Sequence, residues 1–357
     1  MPGTTIRLSM DLALGPSAAF DALVEELVGS LSRHGIQFEP GSRGRLTQNA
    51  FVVGEVVAWV PGSRIALRWR PADWSQDDVT DVELRVEPHE RGTRVTLEHR
   101  GWGRLIGAPE ELAAWFAREG IAAIMRATMP AAVGDWITDR CARRPSGAQA
   151  RTTYADPLYH YPNFRVILLE LALTRDDYLI EVGCGGGAML KAALGRGCRA
   201  AAIDHSPEMV RLARRVNEEA VAQGRLDILE ASADALPFRD ATFTCAAMTG
   251  VLGFLPDPVA AFAELRRVLR PGGRFVGLGS DPELRGTPGA PEPIAARLRF
   301  YESEELEGIA RQAGFMDVRI VRPDLEPFAR EAGVPEEHLP LFAATAGEGG
   351  RFVICRA

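Results

Sequence analysis

Glu181, the glycines at 183, 185, 186 and 187, and Asp204 are the residues whose types and spacing fit them for chemistry. Leu179-Ile180-Glu181-Val182 reads as a buried strand that runs into the glycine turn and then a helix, and a second strand over residues 199–203 ends on Asp204. Glycines let a backbone pass close to a bound nucleotide without interference from Cβ, and a carboxylate at a strand end can hold a pair of ribose hydroxyls. The pattern points to an adenosine-type cofactor. Taken alone, the glycines are a weak signal, and a tight strand-to-helix turn with nothing more is the lesser alternative.

A dinucleotide fold also uses a glycine turn and a later acid, but its turn and helix N-terminus receive a pyrophosphate. Glu181, just before the glycines, is a poor neighbour for phosphates and a good one for an ammonium group. The series Glu181, Gly183, Gly185, Gly187 resembles the E/D-x-G-x-G-x-G signature of class I S-adenosylmethionine (SAM) dependent methyltransferases, of the methyltransferase-11-like type. The resemblance implies that Glu181, Gly183, Cys184, Gly185 and Gly187 surround the aminocarboxypropyl part of SAM, with S-adenosylhomocysteine as product.

Three further segments follow in the family's order. Residues 202–209, AIDHSPEM, resemble the second-strand segment; there Asp204 would take the ribose hydroxyls, His205 and Ser206 would lie beside them, and Met209 would lie against adenine. Residues 231–238, ASADALPF, resemble the segment at the adenine edge and bring in Ser232 and Ala233; residues 265–275, LRRVLRPGGRF, resemble the helix, Pro-Gly-Gly turn and fifth strand. Two positions depart from the family. Ser232 stands where relatives carry the Asp that accepts a bond from the adenine amino group, and a serine hydroxyl can accept one too, though it is shorter and uncharged. Thr244 stands where relatives often have Asp at the start of the fourth strand, and Asp234 reads as a solvent-facing residue.

Three segments are expected to build the acceptor side. Residues 151–164 resemble the N-terminal lid of small-molecule methyltransferases, with Tyr154 and Tyr159 expected to close over SAM. His160 is the one candidate for a general base, since imidazole titrates near neutral pH, and a hydrogen-bonding wall residue is the alternative. Residues 248–255, MTGVLGFL, follow the fourth strand, so Met248 and Thr249 would border the methyl group, and residues 281–301, rich in Pro and Gly, would form a second lid. The fourth-strand segment does not resemble the Asn-Pro-Pro-Tyr type sequence of nucleobase and protein amide methylases, which within the family implies a small apolar or aromatic acceptor.

At 357 residues the chain suits two domains. A net charge of -7 carries no basic footprint, so nucleic acid is not an expected partner. Arg211, Arg214 and Arg215 read as a solvated helix face. Apolar runs fall short of a membrane span and the N-terminus lacks a secretory pattern, so the expectation is a cytoplasmic protein with no membrane partner. The five cysteines lack paired metal spacing, no metal is expected, and they read as reduced thiols; Cys184 is more simply a small residue in a tight turn than a redox switch.

The expected boundary is the polar stretch Arg143-Arg144-Pro145-Ser146-Gly147-Ala148-Gln149-Ala150, which gives domains 1–145 and 146–357. Before it, residues 4–12 alternate, residues 16–34 have helical spacing, and residues 45–49, 52–60, 63–70, 79–88 and 93–100 read as successive antiparallel strands. A last helix is expected over residues 109–140, with Leu112, Trp115, Phe116, Ile121, Ile124, Met125 and Val133 apolar. This order, with Gly54-Glu55-Val56, Pro61-Gly62-Ser63 and Gly101-Trp102-Gly103, resembles the START-like (SRPBCC) helix-grip superfamily, its branch of Hsp90 ATPase activator homologue (AHSA1-like) domains. Trp59, Trp69, Trp74, Trp102, Trp115 and Trp136 all fall here, and fill a core or line a ligand cavity. The second domain alternates strand and helix as a Rossmann-like α/β sheet of seven strands, near 178–182, 199–203, 226–230, 243–248, 274–279, 317–321 and 351–355.

Three functional readings follow. The favoured one is methyl transfer from SAM to a small metabolite, in specialised metabolism, with the N-terminal domain helping to hold substrate or to build a homodimer. The second keeps the SAM site for a non-methylating reaction. The third is a non-enzymatic ligand-binding or interaction protein.

Overall fold

The computed structural model describes residues 5–70, 78–90, 92–101, 120–127, 129–287, 289–343 and 350–357. The chain divides into two compact units, Met1–Trp136 and Ile137–Ala357.

In the first unit seven strands form one antiparallel sheet in the order β1-β7-β6-β5-β4-β3-β2. They are β1 (Ile6–Leu12), β2 (Ile36–Glu39), β3 (Arg45–Gln48), β4 (Phe51–Val60), β5 (Arg64–Trp69), β6 (Thr80–His89) and β7 (Gly92–Arg100). Alternation decides their faces: Val82, Leu84 and Val86 of β6, and Ile65, Leu67 and Trp69 of β5, point into the core. The helix Pro16–Arg33 opens on a proline at its first turn and buries Phe20, Leu23, Leu27 and Leu31. It packs against β2, β6 and β7. β2 is absent from the strand pattern read in the sequence. It is only four residues long, Ile-Gln-Phe-Glu, and follows directly on the Gly35 turn, so its two buried side chains make too short a signal.

The expected terminal helix is present as Ile121–Ala127 and Met129–Thr138, with Ile121, Ile124, Met125 and Val133 buried. Its expected Leu112, Trp115 and Phe116, together with Trp74, Trp102 and Arg91, lie outside the described residues. Of the remaining tryptophans, Trp69 is buried, and Trp59 meets Phe20 edge-on at 5.3 Å between ring centres. Both fill space. A cleft of about 240 Å³ lies between β1 and the helix Ile121–Ala127, lined by Leu8, Ser9, Met10, Met125 and Arg126.

The second unit carries a seven-stranded mixed sheet in the order β10-β9-β8-β11-β12-β14-β13. Its strands are β8 (Tyr178–Val182), β9 (Arg199–Asp204), β10 (Leu226–Glu230), β11 (Phe243–Met248), β12 (Leu269–Gly279), β13 (Met316–Val321) and β14 (Arg351–Arg356). The first five are parallel, while β14 runs antiparallel between β12 and β13. Near-continuous apolar runs such as Ala200-Ala201-Ala202-Ile203 are what a sheet covered on both faces demands. Leu179, Ala202 and Ala247 enter the core under the helices Tyr161–Leu171 and Ala188–Leu194. Ile180, Val182, Ile203 and Met248 enter the opposite one with the helices Pro258–Val268 and Ser303–Gln312. Among the described residues no helix is long and apolar enough to cross a membrane.

Thr244 belongs to the far end of this sheet, where β8, β11 and β12 begin. Its hydroxyl donates to Asp177 Oδ1 at 2.7 Å and accepts from the Tyr178 N–H at 2.9 Å, while the Arg274 guanidinium donates to the same carboxylate at 2.6 Å. The unusual threonine therefore serves strand registration. Thr244→Val strips Asp177 and the Tyr178 N–H of a partner and is expected to cost about 1–3 kcal/mol of unfolding free energy, read from urea midpoints.

Candidate functional site

The site is built where β8 and β9 end. The N–H groups of Gly183 and Cys184 both donate to the Ile203 carbonyl, at 2.8 and 3.1 Å, so the glycine turn is held against the end of β9. Asp204, only 6% exposed, completes the tie: Oδ2 accepts from the Gly185 N–H at 2.9 Å and Oδ1 from the Ser206 N–H at 2.8 Å. A carboxylate offers about four lone-pair positions, so roughly two remain for a ligand. Gly185 has φ of 50°, in the left-handed region, and a Cβ there would lie 2.9 Å from the Tyr154 ring. Both conditions require glycine.

Glu181 is 1% exposed, and its Oε2 has no hydrogen-bond partner. Thr249, one residue past the end of β11, is in the same position: it is buried, with Oγ1 unpartnered. Since Ala247 pairs with Glu181 across parallel β11 and β8, the two orphaned groups stand at neighbouring strand ends. An unsatisfied buried polar group costs about 1–3 kcal/mol, so two together mark a place built for a polar ligand.

The other expected residues are distributed as follows. Ser206 caps the helix Pro207–Val216, accepting from the Met209 N–H at 3.3 Å, and its hydroxyl donates to the Pro145 carbonyl at 2.7 Å. Met209 is fully buried in a cluster with Ala150 and Leu212, against Tyr154. His205 and Ser232 are exposed at the strand-end loops, as is Asp234, while Ala233 and Met248 are buried in the core. The third motif glycine, Gly187, caps the helix Ala188–Leu194 with φ of 82°. Tyr154 reaches the glycine turn, but Tyr159 and His160 make other contacts. The Tyr159 hydroxyl pairs with His338 Nδ1 at 2.7 Å and its ring stacks on Phe342, and His160 stacks on Phe164. Asn217 went unnoticed in the sequence: buried, it donates through Nδ2 to the Gly187 carbonyl at 3.0 Å. Only its place just after an amphipathic helix could have suggested it.

Residues 180–277 match the family model described as a methyltransferase domain, and residues 18–133 match that of the Activator of Hsp90 ATPase homolog 1-like protein. The chain thus carries a segment similar to methyltransferase domains behind one similar to AHSA1-like domains. It is 40% identical over 118 residues to an uncharacterized 37.1 kDa protein in transposon TN4556 of Streptomyces fradiae, covering 32% of this chain and 33% of that protein. It is 29% identical over 174 residues to the O-methyltransferase cnsE of Penicillium expansum, covering 46% of this chain and 61% of the relative. The chain thus spans less than two thirds of the length of either. A SAM-dependent methyltransferase structure from Aquifex aeolicus aligns with a TM-score of 0.44 and 20% identity, over 58% of this chain and 97% of its own.

Electrostatics in the methyltransferase domain follow from burial. Burial, with Asp204 close by, pushes the Glu181 carboxyl well above its ordinary 4.5. Burial also raises Asp204, against the opposing pull of the Ser206 and Gly185 N–H groups. Cys184 goes up as well, by burial and then the two carboxylates, which makes it an inert thiol. A carboxyl whose folded pKa lies above its unfolded one binds protons more tightly when folded, so stability falls as pH rises through the window between the two values. Glu181→Gln is expected to remove up to ~1.4 kcal/mol of stability loss per pH unit above about pH 4.5. Urea midpoints of both proteins between pH 4.5 and 8 would show the two curves diverging as pH rises.

Proposed function

We propose that the C-terminal unit binds SAM across the ends of β8 and β9 and methylates a small apolar or aromatic acceptor. Buried Glu181 beside the glycine turn, its Oε2 without a partner, carries this reading, because a cationic ammonium is the group that a carboxylate suits. Asp204 keeps free lone pairs for two ribose hydroxyls, and Thr249 offers a hydroxyl on the side of the reacting group. Ser232 and His205, exposed nearby, suit the adenosine rim.

When bound, SAM supplies an already activated methyl group. The chain's task is alignment and exclusion of water, and alignment alone can lower a barrier by about 7–11 kcal/mol. Residues 249–256, after β11, carry no ionisable side chain and present half-buried Val251, Phe254 and Leu255. The second lid is fastened to them: the Arg299 N–H donates to the Gly253 carbonyl at 2.8 Å and the Tyr301 hydroxyl to the Leu252 carbonyl at 2.9 Å. Such an apolar wall favours an acceptor that brings its own nucleophile. His160, exposed and stacked on Phe164, is better suited to the wall than to proton transfer. The cleft beside β1 of the N-terminal unit supports a part for that unit in holding an apolar substrate group, with assembly as its other role.

Calorimetric titration of the full chain tests this. SAM and S-adenosylhomocysteine are each expected to bind at micromolar levels, and Asp204→Ala is expected to weaken both about 100-fold, the loss of two charge-assisted hydrogen bonds. Wild-type protein that binds neither would end the reading.

A further inference from the structure

Glu181 and Thr249 are not the only buried polar groups left open at this end of the second sheet. Asn163, in the first turn of the helix Tyr161–Leu171, is 7% exposed, and its Oδ1 has no hydrogen-bond partner. No motif read in the sequence asks for it. Ile167, one turn on along the same stripe, is fully buried, so Asn163 faces the sheet. A buried amide with one end open costs stability that a leucine of nearly the same size would not.

The fold fixes where this amide stands. The Arg274 guanidinium, which also holds Asp177 just before β8, donates to the Leu171 carbonyl at 2.9 Å and ties the C-terminal end of the helix to the end of the sheet where β8 begins. From there the helix packs on β12 and leads back toward the carboxyl ends of the parallel strands. Asn163 lies eight residues before Leu171, ~12 Å along the axis at about 1.5 Å per residue. About four residues of strand cover the same distance, which brings Asn163 level with Leu278 near the end of β12.

Leu179, Cys245, Ala247 and Val276 share one core with Ile167, so the helix covers the face to which Glu181, two residues beyond Leu179, also points. Thr249 continues the spacing of Cys245 and Ala247. Because Ala247 pairs with Glu181 on one side and Val276 on the other, Glu181, Thr249 and Asn163 stand over β8, β11 and β12 in turn. At ~4.8 Å per strand the row is about 10 Å long. Its two ends differ in chemistry. At β8 a carboxyl lies beside the glycine turn, the half assigned above to the cofactor. At β12 the open group is a neutral amide, beyond the strand from which the apolar residues 249–256 leave. A buried neutral amide suits a neutral hydroxyl, which both donates and accepts, and not a charged group that would need a counter-charge.

We propose that Asn163 receives a hydroxyl of the acceptor and selects hydroxylated aromatic acceptors over counterparts that lack the hydroxyl. This rests on the SAM-site reading above and gives it a substrate class. An amide takes up no proton at neutral pH, so Asn163 holds the acceptor and does not serve as a base.

The test titrates the full chain, saturated with S-adenosylhomocysteine, with 2-naphthol and with naphthalene in a calorimeter. The wild type is expected to bind 2-naphthol about tenfold more tightly, the effect of one hydrogen bond to a group otherwise left open. Asn163→Leu, close in size, and Asn163→Ala are each expected to bind the two probes alike, with S-adenosylhomocysteine affinity as in the wild type. A wild type without the preference, including one that binds neither probe, overturns the proposal, and so does a preference that survives both substitutions. A fall in S-adenosylhomocysteine affinity in both variants assigns Asn163 to the cofactor and overturns it as well. A wild type that does not bind S-adenosylhomocysteine ends the SAM reading; the same naphthol comparison on the chain alone then decides the hydroxyl site, upheld by a preference lost in both variants and overturned by its absence.

Discussion

The carboxylate of Asp204 is the joint on which the second unit turns. One oxygen takes the Gly185 N–H from the turn after β8, and the other takes the Ser206 N–H at the start of the next helix. Two loops that leave neighbouring strands are thereby fastened to one side chain. Charge-assisted bonds of this kind are about twice as strong as neutral ones, and here they are sheltered from water. The consequences spread outward. Ser206, once held, can cap its helix and bond Pro145, while Glu208 one turn later faces Gly147 and Arg151. The same acid thus sets the geometry of the turn and, through Ser206 and Glu208, the place of residues 145–151.

Such a joint needs a stiff base. The parallel strands supply it because their side chains are buried on both faces and alternate between two cores. The network of Asp177, Thr244 and Arg274 pins three of these strands at their other ends. Strand ends fixed from below can hold Glu181 and Thr249 in place without bonding them. Their orphaned oxygens are tolerated only because the rest of the sheet is satisfied, which is the usual distribution of local conflict in a functional protein.

Much of this was legible beforehand. Every strand of the second sheet was placed within a few residues, since long apolar runs between glycine and polar turns admit few other readings. β12 is the one that grew, taking in the Pro-Gly-Gly turn because Leu269 pairs with Phe243 before the register shifts. Glu181, the glycines and Asp204 stand out in the sequence because the chemistry expected of them dictates their spacing, and the structure brings them to one pair of strand ends. For Tyr159 and His160 the sequence says which residues are available and not which way they point; they turn to Phe342, His338 and Phe164. What Thr244 does was out of reach of its spacing, because its hydroxyl bridges an acid supplied by Asp177 from outside the strand.

Gly186 shows why some information is out of reach for motif reading. A glycine run satisfies several demands at once: left-handed φ at 183, 185 and 187, and close approach of another backbone at 186. In one sequence these demands look alike. Only the position of the Tyr154 carbonyl separates them, and that position depends on contacts made by Ser206 and Glu208 more than fifty residues away in the chain. The left-handed glycines and the close approach of Tyr154 therefore fall within the same five residues, and a substitution there probes the close approach alone only when it is confined to Gly186.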